Sequence, residues 1–255
     1  MIETTINGPI ASLYLNRPEA ANALSSTLLL EMTAILETWA ESREIRAVIL
    51  GARGKTFCAG ADLKERLETA EENVWSAVEN IRHPISILSR MPQPVIAAVQ
   101  GGAVGGGMEL TLACDFRIAS ERAQFQLAET GIGVIPGAGG TQRLPALIGM
   151  QRAKEMILAG RKITGQEAAV WGLALKAVPH GQLYSEAEAL AYQISRKAPL
   201  AVRAAKYAMD HGAAVPLEQG MEVEKQAYQG ILPSEDRLEG LRAFQEKRAP
   251  EFHGR

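Results

Sequence analysis

Apolar and polar positions change period several times along the chain, and each change predicts an element. Residues 4–6 and 10–15 lie either side of Asn7-Gly8-Pro9 and read as two strands joined by a tight connection, closed by Asn16-Arg17-Pro18. From 25 to 44, Leu28, Leu29, Met32, Ile35, Leu36 and Trp39 recur at helical spacing behind a Ser25 cap. Residues 47–50 then read as a buried strand. Residues 73–90 form a second helical pattern, stopped by Met91-Pro92-Gln93-Pro94, and 95–99 are a fully apolar run of strand length. A glycine tract and a helix follow. A second cycle has strands near 116–119 and 123–127, a Gly/Pro-rich loop at 131–140, and helices from Thr141.

Beyond residue 160 the pattern becomes helical. Thr164-Gly165-Gln166-Glu167 predicts a capping box, Gly172 the end of that short helix, and 173–178 a last strand. Four helices are expected over 182–197, 200–211, 217–229 and 234–247, broken by Pro199, Pro216 and Pro233. No low-complexity linker separates them, so they predict a helical appendage packed on the core or on a neighbour.

Composition narrows this α/β picture. At 255 residues the chain can bury a large core without disulfides or metals. Cys58 and Cys114 sit in apolar surroundings outside any C-x-x-C pair, which predicts reduced thiols and a cytoplasmic setting. No signal-peptide pattern opens the chain, and no apolar run reaches membrane-spanning length. A net charge of −2 offers little long-range attraction for nucleic acid or anionic membrane, so a polyanionic ligand would have to be held locally. Apolar residues make up 47% of the chain and aromatics 5%, which favours close packing of elements over base-stacking platforms.

Several familiar chemistries are missing. Gly54-Lys55-Thr56 resembles the end of a P-loop, but Ile49 stands where the first glycine is required. The tract 101–107 lacks G-x-G-x-x-G spacing, and neither G-x-S-x-G nor H-E-x-x-H occurs. No metal site is expected. His83, His180, His211 and His253 each precede Pro or Gly, which predicts solvated histidines at turns or element ends.

The glycine tract carries more. An apolar strand at 95–99 feeds a helix beginning near Met108-Glu109, whose first turn has almost no side chains. Such a start presents bare N–H groups, and the helix dipole adds positive potential where negative charge would develop. That describes an oxyanion hole; a glycine-rich packing turn fits the same residues. A similar turn of small residues, Phe57-Cys58-Ala59-Gly60-Ala61-Asp62-Leu63-Lys64-Glu65, leads towards another short helix. A donor from each would make a stronger hole, each typically contributing about 3 to 4 kcal/mol.

Segments 57–65, 105–115 and 135–144 (Ile-Pro-Gly-Ala-Gly-Gly-Thr-Gln-Arg-Leu) resemble, in order, the signature segments of the enoyl-CoA hydratase/isomerase (crotonase) family. The likeness spans nearly the whole chain, including 237–240 and 244–248. It implies a spiral of ββα units over residues 1–195 and a helical trimerisation segment over 196–255. It also implies an acyl-CoA thioester substrate with no separate cofactor, and assembly as a homotrimer or homohexamer. On this resemblance Ala61 and Gly106 N–H hold the thioester oxygen as it becomes an enolate, while Ala59, Asp62, Leu63 and Lys64 line the CoA path. Lys64 equally fits a solvated helix-end lysine. Phe244 and Lys247 match positions that touch CoA from a neighbouring subunit, and equally fit an amphipathic helix.

The resemblance assigns the chemistry to Glu109 and Glu129. Glu109 would accept a proton from water attacking C3, and Glu129, protonated beforehand, would supply one to C2. Family isomerases commonly need only the carboxylate at the Glu129 position, so retention of both favours hydration. Residues 57–66 and 237–248 resemble the methylglutaconyl-CoA hydratase branch, which points to a short or branched 2-enoyl-CoA. Relatives in that branch bind AU-rich RNA through a lysine-rich first helix. The matching helix here sets Glu31, Glu37, Glu41 and Glu44 against Arg43 and Arg46 with no lysine, which argues against nucleic acid as a partner.

Overall fold

The computed structural model describes residues 1–255. In chain order, β1 (Ile2–Asn7) and β2 (Ile10–Leu15) precede α1 (Ser26–Glu41), and β3 (Ala47–Ala52) leads to α2 (Leu63–Glu68) and α3 (Val74–Arg90). Two closely similar turns follow: β4 (Val95–Val99), β5 (Gly102–Val104) and α4 (Gly106–Ala113), then β6 (Phe116–Ser120), β7 (Gln124–Gln126) and α5 (Gly140–Ile148). α6 (Met150–Leu158), β8 (Ile163–Thr164), α7 (Gly165–Trp171), β9 (Lys176–Val178) and α8 (Leu183–Ser195) complete the body. The remainder is α9 (Pro199–Gly212), α10 (Leu217–Ile231) and α11 (Glu235–Glu246).

A six-stranded sheet has the order β1-β2-β3-β4-β6-β9, antiparallel at β1/β2 and parallel elsewhere. A three-stranded sheet, β5-β7-β8, lies beside it. Each ββα turn leaves the large sheet, adds a short segment to the small one and ends in a helix. Cys58 supplies the equivalent segment of the preceding turn through an isolated bridge to Ala103. Every residue of β3 and β4 is buried, as expected for parallel strands covered on both faces. A core of 42 buried residues lies on the α1/α3/α4 side, and a smaller cluster joins Ile49, Ile96 and Ile118 to Leu183, Ala187 and Ala191 of α8.

Successive turns stack closely enough to dictate residue type. A β-carbon on Gly107 would lie 2.3 Å from the Cys58 carbonyl oxygen, so only glycine lets α4 approach the previous turn. The predicted capping box forms: Thr164 Oγ1 accepts from Glu167 N–H while Glu167 accepts from Thr164 N–H, and Gly172 ends α7 at φ +80°. The first helix stops at Glu41, three residues short of the expected end, because Ser42 Oγ accepts from the N–H groups of Glu44 and Ile45 and turns the chain outward. The glycine tract is not one continuous turn, since β5 lies inside it.

The expectation for His83 is corrected. It lies inside α3, because burial of Ile81, Pro84, Ile85 and Leu88 carries the helix through Pro84 despite the lost backbone bond. His211 closes α9, while His180 opens a 3-10 turn.

The helical segment is tied to the body by polar contacts. Lys206 of α9, only 7% exposed, pairs with Asp115, whose other oxygen accepts from Val95 N–H at 2.7 Å. Arg203 donates to the carbonyls of Ser42 and Ile45, and Arg46 donates to Phe252 of the C-terminal tail. Asp236 holds that tail by accepting from His253 and Gly254 N–H. No helix is long and apolar enough to cross a membrane. Removing one partner of a buried pair strands the other. Lys206→Met is therefore expected to cost about 3 kcal/mol in urea unfolding, and Asp115→Asn in the same chain to recover part of that loss.

Candidate active site

The site is built where α4 begins. Gly105 precedes it at φ +53°, ψ −126°, a conformation open to glycine, and donates its N–H to Gln126 O at 2.9 Å. Gly106 N–H, the next along, donates to no protein atom. Ala61 N–H is also free. Leu24 bridges to this segment by donating to Gly60 O and accepting from Asp62 N–H, and so takes up the groups on either side. The two free donors are close: a β-carbon on Gly106 would stand 3.9 Å from Ala61 N, and one on Gly60 would stand 3.4 Å from Gly106 N. At the far end of α4, the buried Arg117 guanidinium donates to Thr111 O and Cys114 O, which satisfies the helix's terminal carbonyls.

Glu109 lies in the first turn of α4 and is 2% exposed. Its Oε1 accepts from Ala138 N–H at 2.8 Å and Gly140 N–H at 2.7 Å. Burial pushes this carboxyl above its ordinary range, while the two backbone donors and the Arg143 charge pull the other way. Arg143 also fixes the loop that carries those donors, giving one hydrogen bond to Ala138 O at 2.8 Å and one to Ser89 Oγ of α3 at 3.2 Å.

Glu129 opens the 3-10 turn that follows β7 and is half-buried. Its Oε2 is buried with no hydrogen-bond partner, and its Oε1 lies 3.2 Å from where a Gly105 β-carbon would be. Burial, with the nearby Glu109 charge as a further cause, raises Glu129 to about 7. Two carboxyls thus meet the first turn of α4 in opposite surroundings. One is hydrogen-bonded as an anion would be, and the other keeps one buried oxygen without a donor. Together with two unused N–H groups, they can move a proton in each direction beside a carbonyl whose oxygen gains charge.

The other predicted residues fall into three groups. Ala59 is exposed and donates its N–H to Ala21 O. Asp62 is buried, caps α2 through Lys64 N–H and pairs with Arg17 at 2.6 Å, so its carboxylate already has partners; Leu63 and Lys64 are exposed. Phe244 is 86% exposed and Lys247 caps the end of α11, with no hydrogen bond from either to the residues around Gly106. Ala138, Gly140 and Arg143 carry no individual role in the sequence reading. Only their place in the glycine-rich segment 135–144 marked them.

The chain matches the family model described as enoyl-CoA hydratase/isomerase over residues 5–255. A crystal structure of an enoyl-CoA hydratase from Bacillus anthracis superposes with a TM-score of 0.97 at 49% identity, covering 100% of this chain and 99% of that one. Human enoyl-CoA hydratase domain-containing protein 2, mitochondrial, is 44% identical over 252 residues, 96% of this chain and 86% of its own. Human methylglutaconyl-CoA hydratase, mitochondrial, is 40% identical over 253 residues, 97% of this chain and 75% of its own.

The Arg143 contacts lead to a test of the site's architecture. Arg143→Met is expected to speed amide hydrogen exchange at Ala138 and Gly140 by about 10-fold, a population change of about 1.4 kcal/mol, by releasing the loop carbonyl. Exchange unchanged from that of the parent would mean that the loop holds Glu109 without Arg143.

Proposed function

Because the chain belongs to the enoyl-CoA hydratase/isomerase family and has the crotonase fold, we propose that it hydrates a short or branched 2-enoyl-CoA thioester with Glu109 and Glu129 as paired base and acid. The observation that carries this reading is the contrast between the two carboxyls. Two backbone N–H groups favour an ionised Glu109, whereas Glu129 Oε2 is buried without a donor and retains its proton up to about 7.

In the proposed reaction the thioester carbonyl oxygen takes Ala61 N–H and Gly106 N–H as its donors, which favours the enolate over the ground-state carbonyl. Glu109 removes a proton from water as the water oxygen bonds to C3. The C2–C3 π electrons move onto the thioester as an enolate, and its collapse takes the Glu129 proton at C2. Transfer of the proton gained by Glu109 to Glu129 restores both groups, so the sum is one water added. Ala59, Asp62, Leu63 and Lys64 are proposed to border the CoA path, with the Asp62 contribution coming from its backbone because its carboxylate is occupied. An isomerase would need one carboxylate to shuttle a proton, which leaves the second buried carboxyl without a task.

Assembly through α9 to α11, as a homotrimer or homohexamer, belongs to the same proposal. α9 and α10 pack on each other yet leave Met209, Leu217, Met221 and Tyr228 exposed, which fits a face covered by another copy. Phe244 and Lys247 would then meet CoA bound by a neighbour.

Hydration is followed by the loss of conjugated-thioester absorbance with crotonyl-CoA. Glu109→Gln and Glu129→Gln are each expected to lower kcat by about 10²- to 10⁴-fold with the fold intact. Turnover indifferent to both would sink the mechanism. The sign of the pH dependence follows from Glu129. Its raised value keeps it protonated and competent below about 7, so kcat/KM should fall as pH rises through that value. The acid limb reports protonation of Glu109.

A further inference from the structure

The segment that carries Ala61 N–H is held by the chain between β2 and α1. Ala59 N–H donates to Ala21 O at 3.0 Å, Leu24 N–H to Gly60 O at 2.8 Å, and Asp62 N–H to Leu24 O at 3.3 Å. Gly60 O and Ala61 N–H belong to one planar trans peptide, so pinning that oxygen to Leu24 aims the N–H the opposite way. The Leu24 side chain also reaches the second donor, with Cδ1 3.1 Å from where a Gly106 β-carbon would stand. One residue thus meets both halves of the pair.

Two residues earlier stands Asn22, 0% exposed and at φ +54°, preceded by Ala21 at φ +51°. Consecutive non-glycine residues in the left-handed region cost backbone energy that their surroundings must offset. Asparagine tolerates that region better than most residues, and both ends of its amide are engaged here. Oδ1 accepts from Arg17 N–H at 2.8 Å, which closes residues 17–22 into a loop. Nδ2 donates to Arg53 O at 2.9 Å and to Thr56 O at 2.8 Å.

Gln100, just beyond β4, grips the same turn. Its Nε2 donates to Ala52 O at 3.0 Å and to Thr56 O at 3.1 Å, while its Oε1 is buried without a partner, so the amide serves the turn through its donors alone. Two buried carboxamides thereby take up the carbonyls of residues 52, 53 and 56. Gly54 packs on Pro18, whose Cβ would be 2.7 Å from a β-carbon at that position. Loop 17–24 and turn 53–56 form one braced unit, and the donor segment 58–61 leaves directly from it.

We infer that Asn22 is a positioning residue for the oxyanion pair. It locks loop 17–24 against turn 53–56, so that Leu24 sets the direction of Ala61 N–H beside Gly106 N–H. The inference rests on the proposed use of those two groups by the thioester oxygen, and adds to it a residue that, fully buried, lies out of the substrate's reach. A donor loses strength steeply as it turns away from its acceptor. That loss falls on the enolate more than on the ground-state carbonyl, so kcat suffers and KM does not.

The experiment compares the parent protein with Asn22→Gly, which keeps the left-handed backbone and removes the side chain. Asn22→Asp, nearly the same shape but unable to supply both donors, carries the test if Asn22→Gly fails to fold. Lys206→Met is the control for lost stability, since its missing contact is with Asp115 and not with this loop. At a temperature where near-ultraviolet circular dichroism shows every variant folded, Asn22→Gly should lower kcat for crotonyl-CoA by about 30-fold, part of the loss expected for one oxyanion donor, with KM within about threefold. Asn22→Asp should also lower kcat, and Lys206→Met should match the parent. The infrared carbonyl stretch of bound butyryl-CoA, labelled with carbon-13 at the thioester and too saturated to be hydrated, reads the donors without turnover. It should be lowered on binding to the parent and return part-way to the free value in the Asn22 variants. With the parent's stretch lowered, an unmoved stretch or an unchanged kcat in a folded Asn22 variant would overturn the inference alone, as would an equal kcat loss in Lys206→Met. A parent whose bound carbonyl matches free butyryl-CoA would overturn the donor pair itself, and the inference with it.

Discussion

The close approach of one backbone turn to the next governs this structure. α4 can begin beside the segment 58–61 only because Gly107 presents no side chain to the Cys58 carbonyl and Gly105 adopts a left-handed φ. That approach brings Ala61 N–H and Gly106 N–H side by side with neither used inside the protein. It also sets Glu109, one turn into the helix, against the 138–140 loop. A single side chain at residue 107 would have to push α4 away from the preceding turn, and the donor pair would part with it.

Electrostatics then divides two chemically identical groups. Burial raises both Glu109 and Glu129, so desolvation alone would not separate them. The difference lies in the partners: Glu109 has the N–H donors of Ala138 and Gly140 and the Arg143 charge, whereas Glu129 Oε2 receives no donor and the group faces the Glu109 charge. Arg143 strengthens the division from a distance, since it carries charge towards Glu109 and holds the Ala138 carbonyl. A pair poised in this way holds one proton acceptor and one proton donor at the same pH, the requirement for adding H and OH across a double bond.

Much of the fold was legible from local pattern. The capping box at Thr164, the αL glycine at 172 and the apolar runs of β3 and β4 each report a short-range rule that tertiary structure left intact. Where the reading slipped, long-range packing prevailed over a local signal. Its place before Pro84 puts His83 at a turn or element end, but burial of Pro84 with Ile81, Ile85 and Leu88 keeps α3 continuous there, in keeping with the helical pattern over 73–90. β5 is invisible in the glycine tract because its three residues become a strand only by pairing with β7 and Cys58. At the site, family resemblance picked out Glu109 and Glu129. The loop donors that distinguish them are backbone atoms, on which residue identity leaves little trace.

The division between the two carboxyls is the centre of this account, and it can be observed without turnover. Carbon-13 NMR of protein labelled at glutamate Cδ, with Glu109→Gln and Glu129→Gln to identify the two resonances, would follow each group through its titration. The account predicts that Glu109 loses its proton at a lower pH than Glu129, whose midpoint lies near 7. The reverse order, or a Glu129 that titrates in the ordinary carboxylate range, would contradict it.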